Sequence, residues 1–262
     1  MHPTFGEEDK IHGVPPILPK TPKEKIENFF YHYKWHTVIA VFLVAVITIC
    51  SVQMCAKVDY DAYLLFAGPK GMASTQIHAL EGSAAPFVKD YSGDGEVHVS
   101  FVSYYIANSE DIRDPDNPLT GDAAAQSKLN YDSFTAEIQT GNYLICMLSP
   151  DMFYALNETG IFLPLVGANG VYANSDDLPN EVQNAVHYGE SFTGVRLSDL
   201  SLSFLPGFSA LPEDTVLCIR RPSAVTEWYQ SVLPWIKTDH AERLEQHLEI
   251  FRSMLAYQNP EN

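Results

Sequence analysis

The chain has 262 residues, of which 16 are basic and 33 acidic, for a formal net charge of −17. Such an acid excess repels nucleic acid and anionic headgroups, so no nucleic-acid partner is expected. Four cysteines are too few for a disulfide-dense framework, and Cys146 and Cys218 are too far apart in sequence to form a metal-binding motif.

Residues 1–22 are polar and proline-rich (GVPPILPKTP), the composition of an extended or disordered segment. The aromatic stretch KEKIENFFYHYKW follows and reads as a short interfacial helix, because Tyr31, Tyr33 and Trp35 suit the headgroup layer. From Thr37 to Ala56 the run TVIAVFLVAVITICSVQMCA carries no charge. Twenty helical residues at about 1.5 Å each cross the roughly 30 Å hydrocarbon core of a bilayer. No A-x-A-like site follows the run, and Ile49 and Met54 are poor neighbours for a lipid-modified cysteine at Cys50 or Cys55. A single-pass, uncleaved signal anchor in the cell membrane is therefore expected. Lys20, Lys23, Lys25 and Lys34 precede the span, whereas only Lys57 and Lys70 follow closely. That asymmetry puts residues 1–36 in the cytoplasm and residues 58–262 outside. The first 36 residues hold five lysines and five acids, so the whole net charge lies beyond the span.

Beyond the span, Asp59 to Pro69 (DYDAYLLFAGP) reads as a strand. Ser74 to Tyr91 carries Ile77, Leu80, Ala84, Phe87 and Val88 at helical spacing, and Glu96 to Tyr105 alternates like a strand. Ala107 to Gln126 is polar, contains Pro115 and Pro118, and reads as a long loop. A helix over Leu129–Gln139 ending at Gly141, a buried strand over Tyr143–Leu148 and a helix over Asp151–Glu158 follow. This alternation predicts a parallel α/β sheet with right-handed crossovers. Gly194–Phe204 and Thr215–Ile219 read as strands that add antiparallel pairing. The remainder, Ser223–Tyr257, reads as helix broken near Pro234. Leu244, Leu248, Phe251 and Leu255 form its packing face, opposite Glu242, Glu245 and Glu249. One α/β domain of mixed sheet is expected over 58–262.

The stretch FTAEIQTGNYLICMLSPDMFYALNETGIFLPL (Phe134–Leu165) resembles the N-terminal lobe of sugar-type extracytoplasmic solute-binding proteins of ABC transporters. A helix ends in glycine (Gly141), an apolar strand follows (Leu144–Leu148), and a second helix ends in Gly160-Ile161-Phe162-Leu163-Pro164-Leu165. The FFYHYKWH segment before the span is also similar to that of short membrane-anchored bacterial proteins bearing an exported α/β domain. The resemblance implies a type 2 periplasmic-binding-protein lobe. Asn142-Tyr143 stand where that family has Pro-Asp, and the residues after Leu165 are too few for a second lobe, so a single lobe is implied.

No motif specifies a reaction. Asp90–Glu96 imitates the start of a calcium loop, but Phe101 stands where the bidentate glutamate belongs, and a glycine-shaped turn reads better. The acids Glu110, Asp111, Asp114, Asp116 and Asp122 read as a solvated loop. His240 and His247 read as surface residues. No serine sits in G-x-S-x-G and no glycine-rich phosphate loop is present. No catalytic residue, metal site or cofactor is expected. Open α/β sheets place ligands beyond the carboxyl ends of their strands, here at Tyr104, Tyr105, Ser149 and Asp151. Three functions follow: an extracytoplasmic interaction domain with an envelope-protein partner, a receptor for a small sugar or cation, or, last, an envelope hydrolase whose site no motif marks. Cys146 and Cys218 each lie in an apolar strand, as a disulfide or as two buried thiols.

Overall fold

Residues 22–55 form one continuous helix, α1 (Pro22–Cys55), in the computed structural model, which describes residues 21–55, 58–108, 121–140, 143–222 and 240–259. The aromatic segment is thus not a separate interfacial helix but the first turns of the same rod. Tyr33–Val52 is long and apolar enough to cross a membrane, with a mean hydropathy of 2.3 and none of it buried against protein. Every side chain from Val38 to Val52 is exposed, so the apolar surface runs all round the helix instead of forming a core-facing stripe. The hydroxyls within it need no water: Thr48 Oγ1 donates to the Val44 carbonyl and Ser51 Oγ to the Ile47 carbonyl, each at 2.8 Å.

The second unit begins at Asp59. Its strands are β1 (Ala62–Gly68), β2 (Val99–Tyr105), β3 (Ile145–Leu148), β4 (His187–Tyr188), β5 (Gly194–Arg196) and β6 (Val216–Ile219). They form one six-stranded mixed sheet in the order β2-β1-β3-β6-β5-β4. β1 pairs in parallel with β2 and β3, while β6, β5 and β4 pair antiparallel. Both halves match the expected style of pairing. Strand β1, flanked by β2 and β3, is buried on both faces, which is why AYLLFAG reads as a continuous apolar run.

Helices cover both faces. On one, Leu80 and Ala84 of α2 (Ser74–Ala84), with Phe251, Met254 and Leu255 of α6 (His240–Leu255), pack against Leu64, Phe66, Ile145 and Met147. On the other, Phe134 and Ile138 of α3 (Gly121–Thr140), with Met152 and Phe153 of α4 (Pro150–Asn157), cover Leu65, Ala67, Cys146 and Leu148. Pro150 occupies the first turn of α4, where its missing N–H costs nothing. A short helix α5 (Asn180–Asn184) precedes β4.

Several expectations need correction. Residues 121–126 belong to α3 and not to a loop, since Asp122 and three alanines start a good helix there. Leu197–Phe204 is not strand: after Arg196 the chain makes short 3-10 turns at Leu197–Asp199 and Ser201–Phe204. Asp199 accepts from the Val186 N–H at 2.8 Å and from Arg196 Nε at 2.9 Å, which bends the chain out of the sheet. Gly207 explains how the following loop reaches α2. Its φ is +83°, and a Cβ there would lie 2.3 Å from the Leu80 nitrogen. His247 is buried at 1% exposure, not a surface residue. The tail 1–20, the acids Glu110–Asp116, Gly141 and the helix expected over 223–239 lie outside the described residues.

Asp90–Glu96 is a turn. Asp90 accepts from Ser92 Oγ at 3.1 Å and from the N–H groups of Gly93 and Gly95 at 2.6 and 2.9 Å, so its oxygens are spent on the backbone. These bonds hold its carboxyl below the usual range. Cys146 and Cys218 face each other in the β3–β6 register as free thiols. Cys218 Sγ donates to the Cys146 carbonyl at 3.5 Å, and burial pushes the Cys146 thiol up to about 12.

Candidate functional site

The parallel strands β2, β1 and β3 bring their carboxyl ends to one edge of the sheet. From β1 the chain crosses first to β2 on one side and later to β3 on the other, which makes the β1/β3 boundary the topological switch point. Gly68 and Ser149 stand there. A Cβ on Gly68 would lie 2.9 Å from the Phe66 ring and 3.4 Å from the Ser149 Cβ, so the strand end is closed by packing.

The four residues expected at this edge divide between structure and cavity. Tyr104 packs edge-on against Phe134, with ring centroids 6.0 Å apart. Burial, helped by Glu137, raises its phenol above the ordinary value. It is a packing residue. Tyr105 ends the edge strand, and its carbonyl accepts from Asn130 Nδ2 of α3 at 2.8 Å. Ser149 is buried; its N–H donates to the Ala67 carbonyl and its own carbonyl accepts from Phe153 N–H, both at 2.9 Å, which starts α4. Its hydroxyl has no hydrogen-bond partner among the described residues. Of the four, Asp151 lines a cavity formed by described residues.

That cavity has a volume of about 360 Å³ and lies between the end of β2, the first half of α3 and the first turns of α4. Its origin is visible in α3. The stripe that buries Phe134 and Ile138 continues backward through Tyr131, Ser127 and Ala124. Small residues at 124 and 127, facing Ala155 on α4, leave space where the second half of the helix packs tightly. Ile106 and Met152 supply apolar walls, and Ser127 Oγ accepts the Ala107 N–H at 3.0 Å, fixing the chain after β2. The polar groups at the rim are Asn108, Lys128, Tyr131 and Asp151. Neither Lys128 nor Asp151 forms an ion pair or side-chain hydrogen bond among the described residues.

A larger cleft, about 600 Å³, runs between the end of α4 and the β4–β5 turn, lined by Tyr154, Asn157, Glu190, Thr193 and Arg221. Its walls are about half polar, and Thr193 Oγ1 already donates to Asn157 Oδ1 at 2.7 Å. The smaller cavity is the better candidate because it is walled by apolar groups, carries few convergent polar ones and lies at the strand ends. No group of three or more His, Cys, Asp or Glu gathers as a metal set among the described residues.

Lys128, Tyr131 and Asn108 were missed in the sequence. The signal was there for two of them, since Ala124, Ser127, Lys128 and Tyr131 have the i, i+3, i+4, i+7 spacing of one helix face. Reading residues 107–126 as loop hid the start of that face. Comparison of the chain with known family models, curated proteins and solved structures finds no match.

Proposed function

We propose that residues 59–259 form a small-ligand-binding domain held at a membrane by the chain's own N-terminal helix. The supporting observation is the cavity of about 360 Å³ at the carboxyl ends of the parallel strands, the position where open α/β sheets bind ligands. The strand-helix order and the segment Phe134–Leu165 support a likeness to one lobe of a solute-binding protein. The lysine excess ahead of the span supports a cytoplasmic N-terminus and an extracytoplasmic domain. The domain binds and does not catalyse in this reading. The test is thermal unfolding of the full chain in detergent against sugars, amino acids, short peptides and divalent cations. A compound that binds only the folded state raises stability by about 2.7 kcal/mol at a hundred times its Kd. A cooperative melt indifferent to every compound defeats the proposal.

A second reading, an interaction domain for an envelope protein, is favoured by Phe192. It is 53% exposed at the tip of the β4–β5 turn with φ +50°, a left-handed conformation costly for a bulky residue. Its ring contacts His187 with centroids 5.0 Å apart. Crosslinking from the exposed position 191 in native membranes tests this: capture of one envelope protein, lost on Phe192→Ser, supports it, and capture of none removes it.

A further inference from the structure

Resting on the ligand-binding reading above, we infer that the cavity between α3 and α4 takes a small zwitterion with an apolar body, of the class of free α-amino acids bearing aliphatic or aromatic side chains. The walls and the rim make different demands. Ile106, Ala124, Met152 and Ala155 offer no hydrogen bonds, so the buried body of the ligand must be apolar. The rim carries one cation, Lys128 on α3, and one anion, Asp151 on α4, on opposite walls.

Neither charge is spent on a protein partner among the described residues. Elsewhere Arg196 Nη2 meets Asp199 at 2.8 Å, His78 meets Glu81 at 3.0 Å, and Lys89 pairs with Glu249. In a chain with twice as many acids as bases, a lysine left without a carboxylate beside a cavity is available to a ligand. Each simpler ligand leaves one of the two charges worse off. An anion meets Lys128 but approaches Asp151; a cation does the reverse. A neutral apolar molecule strips water from both charges and replaces it with nothing. A sugar brings more hydroxyls than Ser127, Asn108 and Tyr131 can bind, and sets the rest against apolar walls. A zwitterion places its carboxylate toward Lys128 and its ammonium toward Asp151, and buries its side chain below. Tyr131 and Asn108 add a hydroxyl and an amide at the same rim. The volume lies near the lower end of the usual range for ligand sites, roughly 300–1,000 Å³, which suits a single amino acid better than a peptide.

The experiment is a thermal-shift and calorimetric titration of the full chain in detergent at neutral pH. The probes are L-leucine, L-phenylalanine, N-acetyl-leucine without the ammonium, leucine methyl ester without the carboxylate, and glucose. Saturable stabilisation by leucine or phenylalanine is expected, with both blocked forms weaker by about tenfold or more, the usual worth of a charge-assisted hydrogen bond. Lys128→Met should weaken leucine by a similar factor and leave the methyl ester unchanged. Asp151→Asn should weaken leucine and leave N-acetyl-leucine unchanged. Both side chains are exposed, so the unliganded melts should match the parent. Equal binding of free and blocked leucine, or no response to any amino acid up to about 10 mM, overturns the inference. Binding of glucose alone, abolished by Ala155→Trp, would overturn it while keeping the cavity as a ligand site. Silence of the broad compound panel as well would remove the ligand-binding reading itself.

Discussion

The two ends of the parallel strands are finished differently. At the amino end most of the buried polar groups are paired, the exception being Arg220 Nη2, which has no partner among the described residues. Asp61, 4% exposed, accepts the N–H groups of Tyr91, Ser92 and His98 at 2.7–2.8 Å, tying the Asp90–Glu96 turn to the start of β1. Arg220, fully buried, donates from Nε to the Tyr143 carbonyl at 2.7 Å and from Nη1 to the Ile138 carbonyl at 2.8 Å. It thus joins the last turn of α3 to the start of β3, where a cation also suits the helix dipole. His247 accepts the Tyr63 N–H and bonds the Arg243 carbonyl at 2.8 Å. At the carboxyl end the hydroxyls of Ser103, Ser149 and Thr215 have no partner among the described residues, and the cavity lined by Ile106, Ser127 and Asp151 lies at the same edge of the sheet. One end is built for stability. The other leaves local rules unmet, as functional edges do.

Arg220 gives the largest effect that would break this contrast. Arg220→Ala leaves the Tyr143 and Ile138 carbonyls buried without donors, at about 1–3 kcal/mol each. A loss of about 3 kcal/mol or more in urea unfolding is expected. Lysine should rescue little, since a single ammonium does not reproduce the two-pronged guanidinium. A loss below about 1 kcal/mol would show that the amino end is no better fastened than the other.

His247 tests the same end by pH. Burial pushes its imidazole from the ordinary 6.5 down to about 4. The folded protein therefore holds it neutral while the unfolded chain takes up a proton. Between pH 6.5 and pH 4 the unfolded state binds more protons, so stability falls as the solution is acidified, by about 3 kcal/mol in full. Above pH 6.5 the contribution is complete. His247→Gln should flatten that part of the profile, measured as unfolding free energy against pH. An unchanged slope would assign the acid sensitivity to other groups.

How much of this was legible in sequence follows from what each element depends on. β1, β2, β3 and the α4 start at Pro150 are set by local pattern, and all were read within a few residues of their observed bounds. Leu197–Phe204 was misread as strand because its apolar residues suit a sheet, while the side-chain bonds of Asp199 that turn it away are invisible in pattern. His247 lies on the stripe of Leu244, Leu248 and Phe251, so its burial was readable; polarity alone argued for the surface. Arg220 was not readable, because nothing local says that a guanidinium at a strand end will find two carbonyls on another helix and strand. The cavity depends on which faces of α3 and α4 meet, a tertiary fact, although the small residues that create it stand in the sequence at regular spacing.

The smallest expected effect bears on the carboxyl end. Thr215 is fully buried and its Oγ1 is unpaired among the described residues. A hydroxyl buried without a partner loses its water and gains nothing, whereas valine has the same shape and no such loss. Thr215→Val should therefore raise stability by about 1 kcal/mol, or about 2–4 °C in Tm for a domain of this size. Ser149→Ala should be close to neutral, as the lost hydroxyl is offset by a small void. Substitutions that stabilise at this edge, set beside Arg220→Ala at the other, would sharpen the contrast to a difference in sign. A loss of stability at Thr215 would mean that the hydroxyl bonds to something held at the strand ends, and the sign would persist or vanish with the ligands of the thermal-shift screen according to whether that something is water or the ligand.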